Sequence, residues 1–424
     1  MQVLKYEARH DSALARFLLR RALSCPHQVG HQFFWCLKAE MHLPEVSERF
    51  GLLLQEYLRC CGPHRDEIAL QHEVEQKLIS MAELVHTVKK DERVALLRQE
   101  LSKLTFPAKF QLALDPRFEC SGLKVEKCKC MDSKKVPLWL VFKNADPLGD
   151  SLVVIFKAGD DLRQDALTLQ IIRIMERKWE REGLDLKLSP YGCVSTGDET
   201  GFIEVVLNSN TTANITKKYS GGAGGAFSKE PMKLWLEEHN PGERALNEAV
   251  DTFCVSLAGY CVATYVMGIG DRHNDNVMLS EAGHLFHIDF GHFLGNFKSK
   301  FGVKRERSAF VFTPQMHYVM RAPPGTLGAD GGPALGYLDF VEICCRAYNV
   351  VRRHGALFIT LFMLMTPAEM PELLEVGDIT YLRDMLALHL TEKEAEKRFR
   401  AEIDKALNTA SRQADDFIHS VVHG

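Results

Sequence analysis

Apolar residues recur at helical spacing through the first hundred residues of the chain. The predicted apolar faces are Leu14, Phe17, Leu18 and Ala22 in a first helix, Phe33, Phe34 and Leu37 in a second, and Phe50, Leu53, Leu54, Tyr57 and Leu58 in a third. Asp11 and Ser12 can cap the first helix, and residues 68–104 continue the pattern with many charges. Short helices with short links predict stacked helical pairs, although an ordinary bundle would give the same periodicity.

From Phe106 onward the pattern changes to β-rich segments separated by turn residues. Strands are predicted over residues 123–130, 138–143, 152–157, 191–196 and 201–206. Helices are predicted over residues 166–178 and 249–267. The pattern therefore predicts an α+β fold, with an all-α segment over residues 1–104 and a larger mixed part over residues 105–424.

Residues 268–295 combine two short apolar runs with two polar clusters. The runs at 277–279 and 285–288 are separated by a turn signal, which predicts a β-hairpin with a polar loop at each end. Such a hairpin can bring together four polar side chains, namely Asp271, His273, Asn276 and Asp289. Carboxylate and amide oxygens suit Mg²⁺, and a nearby His or Asp can take a proton from an attacking hydroxyl.

This arrangement is that of a kinase site, in which a catalytic loop with a base and an Asn precedes a D-F-G motif whose Asp holds metal. Alone, D-R-H-N-D-N is compatible with a polar turn and D-F-G with a chance tripeptide. Their order, and the hairpin that bridges them, favour the kinase interpretation.

Composition excludes several other classes. The net charge is −4, so bulk charge indicates no nucleic-acid partner. No run reaches the roughly 18 apolar residues of a membrane span, and the first residues lack a signal-peptide layout. The 12 cysteines have no C-x-x-C zinc spacing, so we expect reduced thiols in a cytoplasmic protein.

Several motifs together resemble the class I phosphatidylinositol 3-kinase catalytic subunits. They are D-R-H with H-I-D-F-G, the strand-end Lys157 followed by G-D-D-L-R-Q-D, K-x-K-F-G-x-K-R-E-R after D-F-G, and H-D-S-A-L-A-R-F-L-L-R-R-A-L with F-F-W-C-L-K-A-E-M near the N-terminus. Asn274, C-V-S-T-G-D and H-D-S-A-L-A-R are most similar to the gamma-type isoform. The resemblance implies a two-lobed PI3/PI4-kinase-type domain, with an N-lobe over about 105–206 and a C-lobe over about 207–424. It also implies that residues 1–104 are the C-terminal part of a helical domain whose first helices lie outside this chain.

The resemblance implies ATP and Mg²⁺ as cofactors. Asn276 and Asp289 would hold Mg²⁺, and Lys157 would neutralise the phosphates. Residues that would contact ATP are Ser133 and Lys134 in a phosphate-covering turn, Asp165, Tyr191, Ile203, Trp139, Met278 and Ile288 in the pocket, and Glu204 and Val206 through the hinge main chain. Without the resemblance, we would interpret such turns, lysines at strand ends and rows of aromatic or Met residues as structural features with no role in binding.

For catalysis the resemblance implies that His273 is the general base, which Asp271 orients unless Asp271 is itself the base. Arg272 would brace the loop, and His292 would steady the transferred phosphate. The glycine-dense residues 220–225 lack the Lys-Ser/Thr of a Walker loop, so they predict a flexible connection. A second predicted loop spans residues 323–333.

Five basic residues follow D-F-G and are predicted to read the substrate: Lys298, Lys300, Lys304, Arg305 and Arg307. Such a cluster suits a multiply phosphorylated inositol head group, and by resemblance we expect conversion of the 4,5-bisphosphate to the 3,4,5-trisphosphate. Two departures from class I are Ser308-Ala309 in place of Val-Pro and the lack of Trp after Trp235. They predict a less rigid loop and weaker membrane engagement by the tail.

The implied partners are a phosphoinositide membrane surface, a regulatory or adaptor subunit, and G-protein βγ or Ras. The implied location is the cytoplasm, with recruitment to the plasma membrane. Three alternatives stay open: a class II-like phosphoinositide 3-kinase, a protein Ser/Thr kinase of the same superfamily, and an inactive truncated scaffold.

Overall fold

The computed structural model describes residues 1–219, 229–296, 299–300, 303–304, 308–320 and 335–423, with side chains described except at 299–300, 303–304 and 411–423. The chain divides into two compact units. The first comprises Met1–Leu169 with Tyr191–Val206, and the second comprises Gln170–Pro190 with Leu207–Gly424. The predicted loops at 220–225 and 323–333 lie outside the described residues.

Helices form the N-terminal part of the first unit, as the periodicity predicted. They are α1 (Ala13–Ser24), α2 (His31–Lys38), α3 (Pro44–Cys60), α4 (His64–His86) and α5 (Arg93–Leu101), with a 3₁₀ helix at Gln2–Tyr6 and a π-helical turn at Pro26–Gly30. Ser12 caps α1 by accepting a hydrogen bond from the Ala15 amide at 3.1 Å. Phe17 is 58% exposed, so the predicted apolar face of α1 is wrong at this position.

An antiparallel sheet completes the first unit. Its strands are β1 (Phe110–Leu112), β2 (Asp115–Leu123), β3 (Lys129–Cys130), β4 (Leu138–Asn144), β5 (Leu152–Ala158), β6 (Cys193–Gly197) and β7 (Thr200–Glu204), in the order β1-β2-β4-β5-β7-β6 with β3 beside β4. The prediction of one strand over 123–130 is wrong, because a 3₁₀ turn at Val125–Lys127 interrupts it. One face of this sheet shares a hydrophobic core with the helices, through residues such as Phe142 and Phe156.

Helix α6 (Arg163–Arg181) leaves the first unit, and its residues from Gln170 belong to the second. The second unit contains β8 (Ser209–Thr211), α7 (Thr212–Tyr219), α8 (Pro231–His239), α9 (Glu243–Met267), β9 (Val277–Ser280), β10 (Leu285–His287), β11 (Ser299–Lys300) and β12 (Val303–Lys304). It continues with α10 (Pro314–Val319), α11 (Tyr337–Arg353), α12 (Gly355–Met365), α13 (Thr380–Leu386) and α14 (Glu392–His423), and with 3₁₀ helices at Thr366–Ala368 and Val376–Ile379. Helices before an antiparallel sheet, then a mixed second unit, confirm the α+β class.

Helix α9 is the central core element of the second unit. By length and composition it could cross a membrane, but 83% of its most apolar window is buried, as in the core helix of a globular fold. It ends at Gly268, which adopts the left-handed conformation (φ 59°) common after a helix C-terminus. This ending turns the chain into the polar loop that precedes the hairpin.

The predicted hairpin is present. Strands β9 and β10 pair antiparallel, with Met278 opposite Phe286, and β8 pairs with the other edge of β9. Beyond the hairpin, the chain returns beside the end of α9. The Gly270 amide donates to the His292 carbonyl oxygen at 3.0 Å, and the Leu294 amide donates to the Met267 carbonyl oxygen at 2.7 Å. The two polar loops are therefore held side by side at one end of the hairpin.

Candidate active site

Asn276 closes the first polar loop on itself. Its Nδ2 donates to the Asp271 carbonyl oxygen at 2.6 Å, and its Oδ1 accepts from the His273 amide at 2.9 Å. Nδ2 also lies 3.4 Å from His273 Nε2. Asn276 is buried, whereas His273 is exposed at the loop surface. The side chain that was predicted to hold metal thus also fixes the loop that carries the predicted base.

Arg272 joins the two polar loops. Its Nε donates to the Gly270 carbonyl oxygen and its Nη1 to the Ile288 carbonyl oxygen, each at 2.8 Å. Its Nη2 donates to the carbonyl oxygen of Asp289. The Ile288 amide in turn donates to the Asn276 carbonyl oxygen at 3.1 Å. The structure therefore brings Asp271, His273, Asn276 and Asp289 into one local cluster and gives Arg272 the contacts of a brace.

His292 has an acidic partner that the sequence analysis did not find. Its Nδ1 lies 2.6 Å from Glu372 Oε1, and Glu372 Oε2 accepts from the Phe293 amide at 2.6 Å. A carboxylate can only accept, so Nδ1 of the His292 ring donates to Glu372. Glu372 is 80 positions away along the chain. No local spacing signal connects the two residues.

Strained backbone marks both polar loops. Asp271 has φ 55° and Asp289 has φ 61°, in the left-handed region that is costly for residues with a Cβ. Nearby, Gly295 has φ 79°, and a Cβ there would overlap the ring of Tyr381. The surrounding hydrogen bonds hold these conformations.

One face of the hairpin is fully buried, whereas the other is buried at Phe286 and half-buried at Met278 and Ile288. Residues of the buried face are at most 2% exposed: Val277, Leu279, Leu285 and His287. Burial, with a smaller effect of the Arg272 charge, lowers the pKa of His287 well below its usual range, so this ring is neutral in the core. Met278 and Ile288 are half-buried, which agrees with a lining position. Their contact with ATP stays a prediction.

The sheet of the first unit has a comparable partly exposed face. Trp139 lies opposite Ile155, and Ile155 lies opposite Ile203, so these three half-buried side chains form a row across β4, β5 and β7. Lys157 follows Ile155 by two positions and lies on the same face. The opposite face, with Phe156 and Phe202, is buried. The row is therefore an apolar surface with the positive charge of Lys157 at one end.

Lys157 is already paired with an acidic neighbour. Its Nζ lies 2.7 Å from Asp160 Oδ2, and both side chains are partly exposed. The sequence analysis did not single out Asp160, although it stands within the G-D-D-L-R-Q-D motif. Asp165 lies in the first turn of α6 and is 8% exposed. The sheet unit therefore brings together Lys157 and an acidic segment, and the roles of these residues toward ATP stay predictions.

The remaining predicted ATP contacts lie in segments between the strands and at the end of β7. Ser133 and Lys134 are exposed in the turn between β3 and β4, where the Val136 amide donates to the Ser133 carbonyl oxygen at 3.1 Å. Tyr191 is buried, whereas Val206 is half-buried. Glu204 accepts a hydrogen bond from the Gly192 amide on Oε2 at 2.6 Å. The side chain of Glu204 thus holds the residue before β6 next to the end of β7.

The predicted substrate-reading loop is described only in part. Lys300 and Lys304 belong to the short paired strands β11 and β12, for which the backbone alone is described. Lys298, Arg305 and Arg307 lie outside the described residues. The role of all five basic residues therefore rests on the sequence.

Comparisons with known proteins agree with the resemblance to phosphatidylinositol 3-kinases, without distinguishing the class or the isoform. Residues 151–374 match the family model "Phosphatidylinositol 3- and 4-kinase", and residues 1–69 match "Phosphoinositide 3-kinase family, accessory domain (PIK domain)". The chain is 51% identical over 423 residues to phosphatidylinositol 3-kinase 1 and to phosphatidylinositol 3-kinase 2 of Dictyostelium discoideum. It is 42% identical over 425 residues to phosphatidylinositol 3-kinase 3 of the same organism. Each alignment covers 100% of this chain but only 26%, 22% and 24% of the respective relative.

Proposed function

Because this chain belongs to the phosphatidylinositol 3- and 4-kinase family, we propose that it carries the catalytic part of a phosphatidylinositol 3-kinase. The reaction transfers the γ-phosphoryl group of ATP to the 3-hydroxyl of a phosphoinositide. The observation that carries the proposal is the cluster of Asp271, His273, Asn276 and Asp289, which Arg272 holds together at one end of the hairpin. The names of the three relatives support the choice of the 3-position.

Asn276 and Asp289 are the proposed ligands of Mg²⁺. Their donor set fits this ion, because Asp289 is exposed and offers a carboxylate beside a buried amide oxygen. Asn276 Oδ1 accepts one amide hydrogen, and a carbonyl oxygen has a second lone pair for a cation. Bound Mg²⁺ would neutralise charge on the phosphates of ATP.

His273 is the proposed general base. Its ring is exposed, the Asp275 amide donates to its Nδ1 at 3.2 Å, and Nδ2 of Asn276 lies 3.4 Å from its Nε2. The ring is proposed to take the proton of the attacking 3-hydroxyl group, unless Asp271 is the base. Arg272 keeps the loop backbone in place during the reaction.

His292 is proposed to donate a hydrogen bond from its Nε2–H group to an oxygen of the transferred phosphoryl group. Glu372 fixes the orientation of the ring from behind, through Nδ1. Lys157 is proposed to neutralise ATP phosphates, which would exchange its pairing with Asp160 for a pairing with phosphate oxygens. The remaining nucleotide contacts are proposed as the resemblance implies them.

The proposed preferred substrate is phosphatidylinositol 4,5-bisphosphate, in line with class I enzymes. The basic segment after D-F-G supports this preference, because three of its residues, Lys304, Arg305 and Arg307, follow closely on one another. The gamma-type motifs support regulation by G-protein βγ or Ras in a longer protein. The proposed place of action is the cytoplasmic face of the plasma membrane.

The test is ATP-dependent phosphorylation of phosphatidylinositol and its 4- and 4,5-phosphates on vesicles. The variants are Asp289→Asn, the triple alanine variant of Lys304, Arg305 and Arg307, and the control Glu281→Gln at the far end of the hairpin. We expect 3-phosphorylated product from the original chain and the control, and a loss of at least about 100-fold for Asp289→Asn. The triple variant should lose activity on the bisphosphate while keeping activity on phosphatidylinositol.

Product at another ring position, or phosphorylation of a peptide without lipid product, would refute the proposed reaction. Equal activity of Asp289→Asn and Glu281→Gln would refute the proposed role of the carboxylate. An equal loss on all three lipids in the triple variant would show that the basic segment supports general membrane binding rather than head-group recognition.

A further inference from the structure

Two histidines and a glutamate lie close together among the N-terminal helices. They belong to the first unit, whereas the polar loops of the hairpin belong to the second. His27 lies in the π-helical turn Pro26–Gly30, and His64 and Glu67 lie in the first turn of α4. One potential ligand atom of each residue lies within 4.8 Å of those of the other two. His27 Nδ1 is 3.2 Å from Glu67 Oε2. The proposed kinase reaction uses none of these residues.

His64 is the most buried member of this group. Its ring is 1% exposed, and its Nδ1 is 2.8 Å from the hydroxyl group of Tyr57. Its Nε2 is buried and has no hydrogen-bond partner among the residues that the structure describes. A buried polar atom without a partner is unfavourable and calls for a missing ligand or a water molecule. When Nδ1–H donates to the Tyr57 oxygen, Nε2 carries the lone pair that a metal needs.

Ordinary packing explains only part of this arrangement. The rings of His27 and His64 meet edge to face, with centroids 5.2 Å apart, and this contact leaves Nε2 of His64 unpaired. Glu67 Oε2 likewise accepts no hydrogen bond from the described residues, in spite of its short distance to His27. Two lone-pair atoms and a carboxylate that face one another favour a cation between them. Burial lowers the pKa of His64 to about 4, which agrees with a neutral ring.

We propose that His27, His64 and Glu67 form a Zn²⁺ site. Imidazole nitrogens with one carboxylate are a ligand set for Zn²⁺ rather than for Mg²⁺, which prefers oxygen. Metal–ligand bonds of about 2.0–2.1 Å in a tetrahedron place ligand atoms about 3.3 Å apart. The His27–Glu67 distance already meets this value, and the His27 side chain is 64% exposed, so it has room to close the remaining gap. Water would complete the coordination on the exposed side.

Such a site would tie the turn between α1 and α2 to the beginning of α4. Tyr57, on α3, would orient His64 from behind the metal, as outer-shell groups do in zinc sites. Zinc would therefore link the turn to α4, with α3 attached through Tyr57, and raise the unfolding temperature of the first unit. This inference is independent of the proposed kinase activity, because no residue is shared.

The experiment measures binding of Zn²⁺ to the full chain by calorimetry, in the presence of excess Mg²⁺ and a thiol reductant. The variants are His27→Gln and Glu67→Gln, whose side chains are partly or mostly exposed and which should fold, together with His64→Gln. The matched control is His72→Gln, because His72 also pairs with a glutamate three positions later on α4, at 3.4 Å from Glu75. Thermal unfolding is recorded with Zn²⁺ and after treatment with a chelator.

We expect one Zn²⁺ per chain in the original protein and in His72→Gln, and a chelator-sensitive increase in unfolding temperature in both. The dissociation constant should rise at least about tenfold in His27→Gln and Glu67→Gln. Absence of Zn²⁺ binding, or equal affinity in all variants, would overturn the proposal. Equal affinity would show that zinc binds elsewhere, for example at exposed cysteine thiols such as Cys60.

Discussion

Arg272 offers the sharpest test of how the polar loops are held. Substitution Arg272→Met keeps an apolar stem of similar length and removes all donors to the carbonyl oxygens of Gly270, Ile288 and Asp289. No other charge is altered. The variant therefore tests whether a brace between the two loops, rather than a group that contacts substrate, is needed for activity.

The expected magnitude follows from these three hydrogen bonds. A hydrogen bond to a charged group contributes about 1.5–3 kcal/mol net when buried. Arg272 is half-buried and the three bonds are not additive, so we expect about 2–4 kcal/mol less stability. Without the brace, the loops that carry His273 and Asp289 can shift relative to each other. A displacement of about 1 Å can cost about 100-fold in rate.

Arg352 provides a matched control within the same unit. It donates to the carbonyl oxygens of Leu386, Ala387 and Leu390 but lies on α11, in a different segment from the polar loops. Its greater burial, with 7% of the residue exposed, predicts a stability loss of about 3–5 kcal/mol for Arg352→Met. The activity per folded molecule should stay within about twofold of the original value, because the loops keep their brace.

The assay combines urea denaturation with lipid phosphorylation at a temperature where both variants are folded. Activity is divided by the folded fraction measured under the same conditions. Arg272→Met should lose about 100-fold and Arg352→Met very little. Similar normalised activities of the two variants would refute the reasoning, because the loss would then follow from stability alone.

Two further predictions concern neighbouring residues. Glu372→Gln should lower kcat about 10- to 100-fold while the KM for ATP changes little, because an amide has one acceptor oxygen where the carboxylate has two, so His292 Nδ1 and the Phe293 amide can no longer both donate to it; unchanged kcat would contradict this role. Gly295→Ala should lose about 2–4 kcal/mol in urea denaturation, since the new Cβ meets the Tyr381 ring in addition to the left-handed backbone. Gly183→Ala, which has φ 70° and open space around it, should lose only about 1–2 kcal/mol, and equal losses would exclude the steric explanation.

Local patterns in the sequence were sufficient to predict the helices and strands whose apolar residues recur at a regular spacing. The hairpin of β9 and β10 was predicted from two apolar runs around a turn, and α9 from its continuous apolar pattern. The same reasoning failed at Val125–Lys127, where a β-rich composition forms a 3₁₀ turn. It also failed for Phe17, because helical spacing does not show which apolar residues of a helix are covered by another part of the fold.

Motifs in the sequence also identified the polar loops and their candidate roles, because kinase chemistry needs a base, an amide and a carboxylate in a fixed order. Which groups hold those loops was decided by the tertiary structure. Glu372 reaches His292 across 80 positions, and Arg272 reaches Asp289 across 17. Likewise, His27 and His64 share no motif, and only the packing of a turn against α4 brings them together. Periodic patterns in the sequence predict the local structure of each segment. The contacts named above depend instead on which distant segments pack together in the fold, and no local spacing encodes that packing.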